Sequence, residues 1–385
     1  MSEYIERCGN QMKSEIEPIA IDLMWLRPGK VGGTESYIRN LLDGFVTLED
    51  EYRFVLLVSK DNAETFSHYA TDERFSLLEA PIGSANIARR IIWQNIHQSR
   101  FLKKHGLRRC FVPVYCKPWF NGGVEYTCVI HDLMMMHYPK NHPLHEVVYS
   151  KLCWWMDVKN AHKIMATTQF VKDDIAHRYG RTDVEVINIP ILLKPEETVD
   201  FEQLADRYGI ADYEYYYTVA QLVPHKNVKT LVSLMHKLVY EDRYTNINVP
   251  KTLVITGVNG NAAAELRKQI EELNLQEHII FSGFISNAER NTLYEHAHSF
   301  LFPSVFEGFG MPPLEAMFLG TPVVTTKCAS IPEVTQNKAT YVDNPYDVDE
   351  WIQKIQSVTR EFERPDFSRY DAKMLSKKNL DALTN

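Results

Sequence analysis

The sequence predicts an α/β chain made of two Rossmann-like domains. Short β-rich runs alternate with helical patterns along its length, as in parallel sheets with crossover helices. The strand candidates fall into two sets of six. At 385 residues the chain also exceeds what one core usually holds, since single cores rarely grow beyond about 250–300 residues. The break between the sets comes where Pro190, Pro195 and several acids interrupt the pattern.

In the first set, strands are expected over 19–24, 54–59, 110–115, 127–131, 163–167 and 184–189. In the second they are expected over 215–219, 252–256, 278–282, 299–303, 322–326 and 340–342. The expected domains are 1–193 and 194–362, with a last helix over 363–385 packing back toward the first. Ligands of open α/β sheets bind at the carboxyl ends of strands, so two facing domains would place the site in the cleft between them. Gly32 and Gly33 follow the first strand and precede a helix expected over 36–45. Paired glycines let backbone N–H groups approach a diphosphate or an acceptor, or simply turn an ordinary loop.

Composition narrows the class. A hydrophobic fraction of 45% with 24% charged residues is ordinary for a soluble globular protein. No apolar run approaches the roughly 18–20 residues of a membrane span, and the polar, acidic first eighteen residues do not read as a signal peptide. The six cysteines form no Cys-x-x-Cys pair, so reduced thiols in a cytosol are expected. The expected place is the cytoplasm, either free or peripheral on the inner face of the cytoplasmic membrane.

The net charge of −8 lies wholly in the second half, because residues 1–190 hold 23 basic and 23 acidic side chains. Residues 80–124 contain no acid. Within them, Arg89, Arg90, Arg100, Lys103 and Lys104 interleave with Ile87, Ile91, Ile92, Ile96 and Leu102. That pattern fits a basic amphipathic helix serving as a membrane or acceptor face, or a domain helix with a solvated basic side. Nucleic acid is not an expected partner.

The most informative stretch runs from Phe302 to Val334. An apolar strand leads into Glu307-Gly308-Phe309-Gly310-Met311-Pro312-Pro313-Leu314-Glu315 and then a helix with prolines in its first turn. Free N–H groups at such a helix start suit an anion, and flanking carboxylates suit hydroxyls on either side of it. This run resembles the Glu-x7-Glu signature of retaining family 4 glycosyltransferases (group 1, GT-B fold), in the form found in bacterial polysaccharide mannosyltransferases. Gly320-Thr321-Pro322-Val323-Val324 and Ile331-Pro332-Glu333-Val334 follow at that family's spacing.

The resemblance implies roles. Glu315 would accept both ribose hydroxyls. Glu307 would bind a hexose hydroxyl, with Gly308, Phe309, Gly310, Met311 and Leu314 around the donor. Lys226, in Val223-Pro224-His225-Lys226-Asn227, would meet the donor diphosphate. His131, in His131-Asp132-Leu133, would reach the donor sugar near its reacting carbon. Gln221 and Ile285 complete the donor site, and Gly32 and Gly33 reach it from the first domain. The family has Gly then Arg or Ser shortly before the lysine, whereas this chain has Ala220-Gln221.

The expected reaction moves a hexose, with mannose favoured, from GDP- or UDP-hexose to a glycan acceptor, with retention. That acceptor would be carried on a lipid such as polyprenyl diphosphate, in O-antigen, capsule or exopolysaccharide assembly. No cofactor and no metal are expected: Asp347-Val348-Asp349 reads as a helix-start acid pair, and the spacing of His137, His142 and His145 fits no zinc pattern. Two alternatives stand beside this reading, a catalytically weak sugar-nucleotide-binding partner subunit and a nucleotide-sugar 2-epimerase.

Overall fold

The computed structural model describes residues 16–28, 33–114, 116–191, 193–257 and 260–385. Their strands form two parallel sheets. In the first sheet the strands are β1 (Ile19–Asp22), β2 (Phe54–Val58), β3 (Phe75–Glu79), β4 (Arg109–Val112), β5 (Glu125–Ile130), β6 (Lys163–Ala166) and β7 (Val184–Val186). They lie in the order β3-β2-β1-β4-β5-β6-β7. The second sheet holds β8 (Tyr216–Val219), β9 (Leu253–Thr256), β10 (Ile279–Gly283), β11 (Ser299–Phe302), β12 (Val323–Thr326) and β13 (Thr340–Val342), ordered β10-β9-β8-β11-β12-β13. Each sheet is doubly wound: the order runs outward from the first strand, then reverses. The reversal falls between β1 and β4 in one sheet and between β8 and β11 in the other.

The first sheet has seven strands rather than the expected six. The additional strand, β3, is the sheet's outer strand, and its Ser76 and Glu79 are exposed, so it lacks the apolar run that marks its neighbours. Strands buried on both faces read as continuous apolar segments. In the second sheet, period-2 alternation sorts side chains to two cores. Tyr216, Ile255, Leu301 and Val324 pack on one face with Leu231, Met235 and Trp351. Tyr217, Val254, Phe300 and Val323 pack on the other with Tyr294 and Met317.

Two compact units divide the chain. One comprises Met1–Val129, Cys153–Met165 and Ser376–Asn385; the other comprises Ile130–Leu152 and Ala166–Leu375. The His131 turn therefore belongs to the same unit as Lys226, Glu307 and Glu315. In the first unit, the closing segment is anchored by Lys377 to Asp50 and by Lys163 Nζ to the Ala382 carbonyl, both at 2.5 Å. No helix among the described residues is long and apolar enough to cross a membrane.

Candidate functional site

The second sheet's reversal carries the charged residues. β8 runs into a 3-10 turn, Pro224–Lys226, which Asn227 ends in the left-handed region at φ 51°. Asn227 then opens the helix Val228–Tyr240. β11 runs into the loop that bears Glu307. Lys226 and Glu307, one from each strand flanking the reversal, meet at 2.6 Å with their side chains 20% and 11% exposed. The two turns are tied together, since the His225 carbonyl accepts from Val305 N at 2.9 Å and from Ser304 Oγ at 3.2 Å.

Gly308 sets where this loop sits. A Cβ there would lie 2.1 Å from the His131 carbonyl oxygen and 2.8 Å from Asp132 Cβ, so only glycine lets the loop approach the turn after β5. The Gly308 carbonyl accepts from Thr168 Oγ1 at 3.1 Å and Thr167 Oγ1 at 3.4 Å. Ser330, fully buried, donates to the Glu307 carbonyl at 2.8 Å and the Phe309 carbonyl at 3.0 Å. Glu333 accepts from Gln169 N at 2.7 Å and Phe170 N at 3.0 Å, capping the helix Gln169–Tyr179. A carboxylate is favourable at that end of a helix.

Asp132 accepts from Met134 N at 2.8 Å. Burial pushes its carboxyl up; Glu307's charge adds to this, while the Met134 hydrogen bond, Lys226 and His137 work against it. It therefore joins His131, Lys226, Glu307 and Gly308 in one cluster. Perturbed carboxylates gather at functional sites. The sequence signal for Asp132 was its place beside His131.

Gly310, at φ 91°, turns the chain into the helix Met311–Phe318. Pro312 and Pro313 remove two first-turn N–H groups and the Leu314 N–H closes the first helical bond onto the Gly310 carbonyl, leaving the N–H groups of Gly310 and Met311 as donors at that end. The Leu314 side chain is fully buried, and the Phe309 ring lies against Tyr370, so Phe309 can serve a ligand through its backbone only. Glu315, 7% exposed, accepts from Tyr294 Oη at 3.3 Å and lies 3.8 Å from Arg290 Nη2. That carboxylate is the largest influence holding the Arg290 guanidinium's pKa above its ordinary value. Sequence reasoning missed Arg290. It and Tyr294 share one face of the helix Asn287–Glu295 at i, i+4 spacing.

The remaining expected residues are scattered. Gln221 is exposed. Ile285 is half-buried against the second sheet's core, while its neighbour Phe284 is 91% exposed. Gly32 lies outside the described residues. Gly33 opens the helix Gly33–Val46, which starts three residues before expectation, and nothing crowds its Cα. Residues 87–104 form the helix Ile87–Trp93, a π turn Gln94–Gln98 and the helix Ser99–Lys104. Arg89, Arg100, Lys103 and Lys104 are exposed there, but Arg90 is not on that face. Its Nε is shielded from solvent, and its charge acts on buried Asp22. His137 is engaged by Asp174 at 2.7 Å, and Asp347 caps the helix Val348–Gln356.

Residues 200–373, which include Lys226, Glu307 and Glu315, match the model of "Glycosyl transferases group 1". The chain carries a group 1 glycosyltransferase domain. Over 232 residues the chain is 29% identical to the O-antigen chain mannosyltransferase RfbU of Salmonella typhimurium, covering 60% of each protein. The O-antigen chain mannosyltransferase B of Escherichia coli is 26% identical over 223 residues, covering 57% of each. The chain thus spans about three-fifths of the length of these curated relatives. Among solved structures, Anabaena HepE in complex with UDP and glucose aligns with a TM-score of 0.66 at 16% identity, covering 96% of this chain and 99% of that one. The fold is GT-B, and the chain resembles bacterial mannosyltransferases in sequence.

Proposed function

We propose that this chain is a retaining hexosyltransferase that moves a hexose, with mannose favoured, from a nucleotide-sugar to a glycan acceptor in cell-surface polysaccharide assembly. The observation that carries the reading is the Lys226–Glu307 pair at the reversal of the second sheet, where open α/β sheets bind ligands. The relatives named O-antigen chain mannosyltransferases favour mannose and a glycan acceptor.

In this mechanism Lys226 and the Gly310 and Met311 N–H groups meet the donor diphosphate and stabilise charge as it leaves. Glu315 takes the ribose hydroxyls, and Glu307 holds a hexose hydroxyl. His131, fixed beside Gly308, borders the reacting carbon. The acceptor hydroxyl attacks on the face the diphosphate leaves, and a phosphate oxygen takes its proton. The C1–O bond to phosphate breaks as the bond to the acceptor oxygen forms. The same residues would do this without a metal.

The test is thermal stabilisation by GDP-mannose, UDP-glucose, UDP-galactose, UDP-N-acetylglucosamine and dTDP-rhamnose in EDTA, on wild type and Glu315→Ala. One donor at about 100 times its dissociation constant stabilises wild type by about 2.7 kcal/mol and leaves the variant unmoved. A shift that needs added metal overturns the diphosphate site as drawn. No shift with any donor favours the partner-subunit reading, for which uncharged Gln221 is the motivating residue.

A lipid-linked acceptor implies a membrane face. Ile92 and Ile96, 59% and 58% exposed, stand among Arg89, Arg100, Lys103 and Lys104. Phe120, 73% exposed, adjoins them through the Ser99 Oγ bond to its carbonyl at 3.2 Å. Exposed apolar groups ringed by cations suit an anionic bilayer, each cation contributing about 1 kcal/mol. Flotation with phosphatidylglycerol liposomes should fail once the four cations are replaced by alanine. Unchanged flotation removes this face from the proposal.

A further inference from the structure

Beside the Lys226 turn lies a cavity of about 400 Å³ in the second unit. Its lining includes Asn141, His142, Glu146, Gln221, His225 and Asn261. We propose that this cavity is a neutral-sugar subsite that holds part of the acceptor glycan next to the reacting centre. The proposal rests on the function given above and adds to it the place and chemistry of the acceptor.

Three observations carry it. The first is the character of the lining. Amides and imidazoles supply hydrogen-bond donors and acceptors, as the hydroxyls of a sugar require. Met134, Val223, Pro143 and Pro224 add apolar surface for the C–H face of a ring. Among the described residues no Lys or Arg lines the cavity, and the one acid there, Glu146, would repel a phosphate. His225 does not supply the missing cation: burial, with Lys226 beside it, pushes its pKa down to about 4. A volume of this size lies in the range of small-ligand pockets, about 300–1,000 Å³.

The second observation is an unspent polar group. His142 Nε2 is shielded from solvent and has no hydrogen-bond partner among the described residues. A buried polar atom left in that condition is costly, and a turn of the His142 ring toward the cavity it lines would let a guest bond it and recover that cost.

The third is position. His225 immediately precedes Lys226, and its carbonyl is bonded to Val305 and Ser304 on the strand end that leads to Glu307. A sugar in the cavity is therefore held one residue from the Lys226–Glu307 pair. Gln221 now has a physical reading as well. It stands where the family resemblance expects Arg or Ser, and a neutral amide there lines a sugar site rather than completing a phosphate site.

Saturation-transfer NMR on the full chain tests this with α-linked mannobiose, maltose and inorganic pyrophosphate as probes. At least one disaccharide should give a signal with wild type. The signal should fall at least fivefold in His142→Ala and in Asn261→Trp, which fills the exposed rim without touching the core. His142→Gln, which keeps a polar group, should retain part of it. Pyrophosphate that displaces the sugar would make this a phosphate site and overturn the proposal. Disaccharides that give no signal, or one indifferent to both variants, overturn it as well. The donor thermal-shift panel runs in parallel. Donor binding without sugar binding defeats the subsite alone. Sugar binding that responds to the variants, with no donor shift, defeats the transferase reading and with it the acceptor role.

Discussion

Both sheets reverse their strand order at the same relative place, and the two reversals are furnished in opposite ways. At the first, charge is turned inward. Asp22 ends β1 at 2% exposure, accepting from Met24 N at 3.1 Å and from Gln98 Nε2 at 2.8 Å. After β4, Cys116 sits at φ 91°. Its carbonyl accepts from Gln94 Nε2, and its N–H donates to Asp157 Oδ2 at 2.7 Å. Lys117, 2% exposed, donates to the Pro118 carbonyl at 3.0 Å. Gln94 and Gln98 bound the π turn, a feature that recurs at functional sites.

At the second reversal, neutral groups do the holding. Thr167, Thr168 and Ser330 bond the carbonyls of the Glu307–Phe309 loop, and the charged pair Lys226–Glu307 keeps some exposure. A loop positioned by hydroxyls keeps its ions for a ligand. A loop positioned by buried ions has already committed them.

The largest way to break that contrast is Gly308→Ala. The added Cβ would meet backbone at 2.1 Å, which cannot swing aside as a side chain could. Overpacking of this kind costs about 3 kcal/mol, and the accompanying shift of roughly 1 Å at Glu307 should lower kcat/KM by about 100-fold. Urea unfolding, and initial rates with whichever donor the thermal-shift panel identifies, check both. A variant that keeps wild-type rates would mean the loop's approach to the His131 turn is not what positions Glu307.

The next effect belongs to the first reversal and has a pH signature. Burial pushes the Asp157 carboxyl from its ordinary 3.8 to about 7, against the Cys116 hydrogen bond and the nearby Lys117 charge. The folded state therefore holds this proton more tightly than the unfolded state does. The stability it contributes is present below about pH 4 and is lost as pH rises through about 7. Asp157→Asn keeps the shape and the acceptor but cannot ionise. Relative to the variant, wild type should lose about 2 kcal/mol between pH 4 and pH 7.5, less than the full shift because buried sites relax. Parallel pH curves for the two proteins would show that Asp157 is ionised at no such cost.

The two reversals also differ in how far the sequence discloses them. The second was legible because the family resemblance rests on particular residues at particular spacings. The Glu307 to Glu315 run, Lys226 and His131 could all be named, and the sheet that carries them was bounded to within a residue. What stayed hidden there depends on tertiary contact. Ser330 and Thr168 are ordinary residues just before helices, and Arg290 an ordinary residue within one, until the fold brings them to the Glu307 loop or to Glu315. The first reversal gave almost no warning. Arg90 reads as one more cation in a basic run, yet its side chain turns toward Asp22, because helical periodicity alone does not say which side meets the sheet. β3 escaped for a related reason, since an outer strand need not be apolar on both faces.

The smallest test asks whether the neutral clamp acts as a unit. Ser330→Ala removes the one hydroxyl proton that the Glu307 and Phe309 carbonyls share, and leaves both acceptors without it. A lost hydrogen bond with its acceptor left behind costs about 1–3 kcal/mol, but the Ser330 N–H still lies 3.4 Å from the Glu307 carbonyl and the threonines still hold Gly308. The net expectation is about 1.5 kcal/mol in stability. Transfer should slow by about tenfold, mostly in kcat, because the loop is loosened rather than displaced. If Ser330→Ala instead raises the donor KM and leaves kcat alone, Ser330 serves donor binding and not the placement of Glu307. The clamp would then reduce to Thr167, Thr168 and the glycine they hold.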